Sequence, residues 1–192
     1  MRSENTLETQ IEVNDFMELY TWLEKNHKTE SHVWVNSKRG KPNGQDFSYI
    51  DVVYCALCFG WIDTTCKNIN GVPCQKLMPR SKKSHWTYLN IARCKYLIEQ
   101  GLMTDEGLKA IPKNHDDFMI SQDILDRLQV DKQAWENFNH FPLLYQRIRI
   151  DNIEWAREKI EINTFETRLN KLIETSRENK MYGEWNDYGR II

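Results

Sequence analysis

The side chains best suited to chemistry in this sequence lie between Trp61 and Arg93, with Asp63, Arg80, Lys83, Ser84, Trp86 and Asn90 between them. After Asp63 the next acid is Glu99. Positions 64 to 98 hold Lys67, Lys76, Arg80, Lys82, Lys83, Arg93 and Lys95 and neither Asp nor Glu, so this stretch carries +7 in a chain whose net charge is −2. Such asymmetry creates a local positive field on an acidic protein. Arg80, Lys82 and Lys83 precede a helical pattern for which Ser84 is the expected N-cap. The unpaired N–H groups and the dipole of a helix start favour anions, and Arg80 can grip a carboxylate or phosphate through two parallel bonds. The plainer reading of the same residues is a solvated basic loop.

Asp63 has three roles open to it. It would orient Arg80, act as a general base, or form a structural ion pair with Arg80. Trp86, Asn90 and Arg93 share one face of the expected helix, a mixture that suits either a ligand or a partly buried surface. Lys82 and Lys83 near Trp86 and Tyr88 are compatible with single-stranded nucleic acid. A sequence pI near 6.2 argues against nucleic acid as the main partner.

The elements that must position these residues read as α+β. Phe16, Leu19, Tyr20, Trp22 and Leu23 form a helical stripe beginning after Asn14 or Asp15. Val33 to Lys38 is β-rich, "RGKPNGQ" is a loop, and a helix from Tyr49 to about Phe59 stops at Gly60. "WIDTTCKNINGVPCQKLMPR" reads as a hairpin with Asn70-Gly71 at its tip. A helix from Ser84 to about Gln100 ends at Gly101, and Thr104 opens a short one that Pro112 stops. From residue 121 onward the pattern is helical, near 121–128, 132–139, 142–159 and 164–179. Pro142 suits a first helical position. Asn163 with Glu166 resembles a capping box, and Phe165, Leu169, Leu172 and Ile173 form a core stripe. The expected organisation is an α+β core over 11–112 with a small antiparallel sheet, an all-helical region over 113–182, and tails at 1–10 and 183–192.

Composition excludes several classes. At 40% hydrophobic and 28% charged residues the chain has a globular balance. The longest apolar run is too short to span a bilayer, and the polar first ten residues lack the apolar segment of a signal peptide. A cytoplasmic protein without a membrane span is expected. Five cysteines are then read as reduced thiols. Cys55 and Cys58 form a CxxC inside an apolar helix, where cysteine behaves as a small hydrophobe, so no metal and no cofactor is expected. Phosphate-loop, dinucleotide and nucleophile-elbow motifs are missing.

The motif residues resemble the YdeI/OmpD-associated, bacteriocin-protection-like family. The likeness is carried by Cys58, Phe59, Gly60, Trp61, Ile62 and Asp63, then by Pro79, Arg80, Lys83, Ser84 and Trp86, and by Asn90, Ala92 and Arg93. Glu166, Thr167 and Arg168 match an E-T-R signature in a similar helical tail. The resemblance spans roughly residues 14 to 180. It departs at Phe165 and Lys82, where the family often has Pro. It implies a bacterial protein, a YjbR/CyaY-like α+β fold and a link to bacteriocin or envelope-stress tolerance, with no particular reaction attached. The resulting expectation is a binding protein for a small anionic ligand or acidic peptide in a basic groove. That groove would be lined by Trp61, Asp63, Arg80, Lys83, Ser84, Trp86, Asn90 and Arg93. An enzyme using Asp63 as general base and a protein–protein interaction module are the alternatives.

Overall fold

The computed structural model describes residues 9–43, 47–113 and 117–191. The α+β class expected from sequence holds, with two compact units. The first comprises residues up to His85 together with Arg93–Pro112. The second comprises Trp86–Ala92 and everything from Lys113 on.

In the first unit, a central helix is fixed by its own sequence. Helix α2 (Tyr49–Cys58) begins at Ser48, whose side chain accepts from the Asp51 N–H while the Asp51 carboxylate accepts from the Ser48 N–H. This reciprocal cap satisfies two otherwise open donors. Ile50 and the whole run Val52–Cys58 are buried, the signature of a helix covered on all sides. Helix α1 (Phe16–Asn26) is capped by Asp15 and buries Leu19 and Leu23.

A four-stranded sheet lies in the same unit, in the order β1-β2-β4-β3. Its strands are β1 (Gln10–Ile11), β2 (Val33–Asn36), β3 (Trp61–Ile69) and β4 (Val72–Pro79). The hairpin forms where expected, because Asn70 and Gly71 both adopt the positive φ that its two-residue turn requires. The sheet is mixed and not purely antiparallel: β1 runs parallel to β2, pairing Gln10 with Trp34 and Ile11 with Val35. Gln10, expected in the N-terminal tail, is therefore part of the sheet, and residues 1–8 of that expected tail lie outside the described residues. A two-residue strand paired in parallel has no local turn to announce it. Two residues of the expected 39–45 loop, Gly44 and Gln45, lie outside the described residues.

Between Asp63 and Cys66 the register of β3 slips against β4, so that Asp63 faces Leu77 and Cys66 faces Gln75. The slip is one extra residue on β3, a bulge. It leaves the Thr65 carbonyl to be satisfied otherwise, and the buried Gln75 amide donates to it at 3.2 Å. Helix α3 (Tyr88–Glu99) follows, then α4 (Asp105–Ala110), which is capped by Thr104 as expected.

The second unit contains α5 (Gln122–Val130), α6 (Lys132–His140), α7 (Leu143–Glu158) and α8 (Ile162–Arg177). Their apolar faces meet in a core of Ile124, Leu128, Phe138, Tyr145, Ile153, Leu169 and Leu172, among others. Pro142 is the N-cap residue of α7 and not its first helical residue. Helix α8 starts at Ile162, so Asn163 is already inside it and forms no cap. Two of the E-T-R residues tie helices together. Glu166 accepts two bonds from Arg127 of α5, and Arg168 donates to the Asn152 carbonyl of α7. The C-terminal segment packs back on this core through Trp185, whose ring meets that of Tyr145 edge-on. Among the described residues no helix is long and apolar enough to cross a membrane.

Candidate functional site

Helix α3 does not start at Ser84. Its first free N–H groups are capped by Thr87, whose hydroxyl accepts from the Asn90 N–H. Ser84 closes a turn instead: its N–H donates to the Ser81 carbonyl and its hydroxyl lies 3.2 Å from that of Ser81. Both Ser and Thr make good caps, and the Ser81–Ser84 turn consumes the first candidate. The expected coupling of Lys83 and Ser84 to a helix dipole is thereby lost, and Lys83 is exposed. Trp86 precedes the helix, and it and Asn90 belong to the second unit, whereas Arg93 belongs to the first. Trp61 is only 1% exposed and is a core residue of the sheet, so it cannot line a groove. The basic stretch is also dispersed. Lys67 and Lys76 lie over the ring of Trp34, at 4.0 and 5.6 Å from its centroid.

What the first unit does bring together is Asp63 and a set of arginines. The Tyr49 hydroxyl donates to the Asp63 carboxylate at 2.6 Å. Burial pushes the Tyr49 phenol well above its ordinary value, the Asp63 charge adds to this, and Arg93 and Arg39 oppose it. Burial lowers the Arg80 guanidinium, against the pull of Cys94 and Asp63. Arg80 donates to the His85 carbonyl at 2.8 Å, which anchors the segment after β4. The guanidinium of Arg39 sits 4.6 Å from the Tyr49 ring centroid and donates to the Gln75 side chain at 3.1 Å. Gln75 thus spends its N–H on the bulge and its oxygen on Arg39.

Arg39 also lines a cavity of about 670 Å³ at the end of β2, together with Asn36, Lys38, Phe47, Cys66 and Pro73. This size and the mixed apolar and cationic wall match those of small-molecule sites. Sequence reasoning missed Arg39, Tyr49 and Gln75. The Lys38-Arg39 pair at the end of the β-rich stretch was the visible signal. The partners of Arg39 are remote in sequence.

Four of the five cysteines are buried as expected: Cys55, Cys58, Cys74 and Cys94. Cys66 is exposed. Burial pushes the Cys58 and Cys94 thiols up to about 12. Below the ordinary thiol value near 9.0 both are neutral in the folded and unfolded chain. Between that value and about pH 12 the unfolded chain loses these protons and the folded one keeps them, so stability must fall as pH rises. Urea midpoints compared at about pH 8 and about pH 10 will show this fall, and Cys58→Ala/Cys94→Ala will flatten it. An unchanged difference in the double variant would assign the alkaline loss elsewhere.

The arrangement defines an α+β unit with a cationic, half-apolar cavity, joined in sequence to a four-helix unit. The chain belongs to the family described as a domain of unknown function, DUF8412, whose model matches residues 11–110. Residues 117–179 match the model described as Bacteriocin-protection, YdeI or OmpD-Associated, so the helical unit carries a YdeI/OmpD-associated domain. The E-T-R residues fall within that second match, and Trp61, Asp63, Arg80 and Arg93 within the first. No curated protein and no solved structure matches the chain.

Proposed function

We propose that the α+β unit binds a small anionic ligand, a carboxylate or phosphate compound, and that this binding serves bacteriocin protection in the cytoplasm. The observation that carries the reading is the placement of Lys38 and Arg39 on the wall of a ligand-sized cavity. Arg39 is preorganised: Gln75 fixes its guanidinium from one side and Tyr49 underlies it. A cation already held in place loses little side-chain freedom on meeting an anion. Tyr49 is itself held from the far side by its bond to Asp63. Apolar Phe47 and Pro73 offer contact area for the rest of the ligand. The bacteriocin link rests on the name of the family whose model the helical unit matches.

The test is a thermal-shift screen against phosphate, citrate, nucleotides and acidic peptides, on wild type and Arg39→Ala. An anion that binds the native state must raise the melting temperature. The expected result is a ligand whose affinity drops about tenfold or more in Arg39→Ala, as losing a hydrogen bond to a charged group predicts. Asp63→Asn should bind that ligand nearly as well as wild type, since Asp63 is turned toward Tyr49. Equal shifts in wild type and Arg39→Ala would remove the cavity from the reading. Turnover of the ligand that vanishes in Asp63→Asn would replace binding with catalysis.

A further inference from the structure

The proposed ligand site contains a thiol. Cys66 is the exposed cysteine, and it lies on the wall of the cavity that Lys38 and Arg39 line. Its position is set by the bulge. The extra residue of β3 carries Cys66 to the place opposite Gln75, and Gln75 is the residue that holds the Arg39 guanidinium. One position of β4 therefore fixes both the thiol and the cation beside the same cavity. Ser37, 5% exposed, lines it too, and its hydroxyl has no hydrogen-bond partner among the described residues. A buried hydroxyl left unsatisfied costs free energy that a ligand's polar group would recover.

We infer that this cavity, resting on the anion-binding reading above, is a site of thiol–disulfide exchange in which Cys66 accepts half of a small anionic disulfide. The Cys66 thiolate attacks one sulfur of the bound disulfide. A new S–S bond forms to Cys66 as the old one breaks, and the other half leaves as a thiolate that takes up the proton Cys66 gave. The small disulfide is itself the oxidant: one of its sulfurs is reduced while Cys66 is oxidised. Lys38 and Arg39 draw the carboxylates of the disulfide, Phe47 and Pro73 pack its carbon chain, and the remaining cysteines are buried beyond its reach.

Native protein is treated with oxidised glutathione or with neutral bis(2-hydroxyethyl) disulfide, and adducts are followed by intact mass and peptide mapping. The same two reagents on an unstructured one-cysteine peptide give the intrinsic rate ratio. The expected result is an adduct at Cys66 and its loss in Cys66→Ser. The preference for glutathione should be about tenfold above the peptide's, the scale of electrostatic capture in a charged cleft. Lys38→Ala/Arg39→Ala should abolish that preference. So should raising salt from about 20 mM to about 500 mM on wild type, which shortens the screening length and needs no variant to fold. A ratio equal to the peptide's, or one that resists both salt and the double variant, overturns the exchange site. Citrate or phosphate stabilisation measured on Cys66→Ser separates the two ideas. If it persists while the ratio equals the peptide's, only the exchange site falls; if it too is lacking, the anion-binding reading falls with it.

Discussion

Trp61→Ala is expected to destabilise the α+β unit by about 4 kcal/mol, the usual loss for a large aromatic truncated in a core. Trp61 is 1% exposed and opens β3 opposite Pro79. It follows Gly60, whose positive φ lets the chain leave α2 and enter the sheet within two residues, Phe59 and Gly60. The deletion would therefore empty the junction between the central helix and the hairpin, where collapse of the neighbours is restricted from two sides. Amide exchange in β3 and β4 reads this opening directly, because those amides report the stability of the unit that contains them. Loss of ligand binding in the variant would follow from the fold. A variant that kept wild-type protection but lost binding would return Trp61 to the ligand groove where its sequence context first placed it.

Gly107→Ala carries the second large effect, about 3 kcal/mol, at the upper end of overpacking costs. A β-carbon there would stand 2.3 Å from the Cys58 carbonyl oxygen and 2.4 Å from the Met103 sulfur. The sulfur can swing away; the carbonyl cannot. Cys58 ends α2, and its carbonyl accepts from both the hydroxyl and the N–H of Thr104, the cap of α4. One backbone oxygen therefore receives the start of the next helix, and Gly107 is what permits the approach. Pushing α4 outward would leave this helix-end carbonyl buried and unsatisfied. Lys109→Ala on the exposed side of α4 is the control, expected within about 0.5 kcal/mol of wild type. Urea midpoints on the two variants decide the matter, and a Gly107→Ala midpoint matching that of Lys109→Ala would mean that α4 tolerates displacement.

Local chemistry made much of the architecture legible. Asp15, Ser48 and Thr104 cap helices because a short polar side chain can reach an open N–H within three residues. Asn70-Gly71 and Gly60 turn the chain because few residues accept positive φ. Helix α2 was readable as buried from its unbroken apolar run. Where two local signals competed, sequence lost the decision. Ser84 and Thr87 are both fit to start α3, and the turn that engages Ser84 settled the matter. Trp61, Asp63 and Arg80 could be seen as a set from their motifs, yet motif membership does not say which side chain points inward. Trp61 went to the core, and Asp63 went to Tyr49.

The sequence by itself determined the α+β class, the hairpin, the helical second half and the resemblance in its E-T-R segment. Each of these follows from periodicity, turn chemistry or motif within a few residues. Only the tertiary structure decided the parallel pairing of β1, the bulge that aligns Cys66 with Gln75, and the cavity bordered by Lys38 and Arg39. Those features depend on strand register and on partners such as Arg39 and Gln75, which chain folding, and not neighbourhood in sequence, brings within hydrogen-bonding distance.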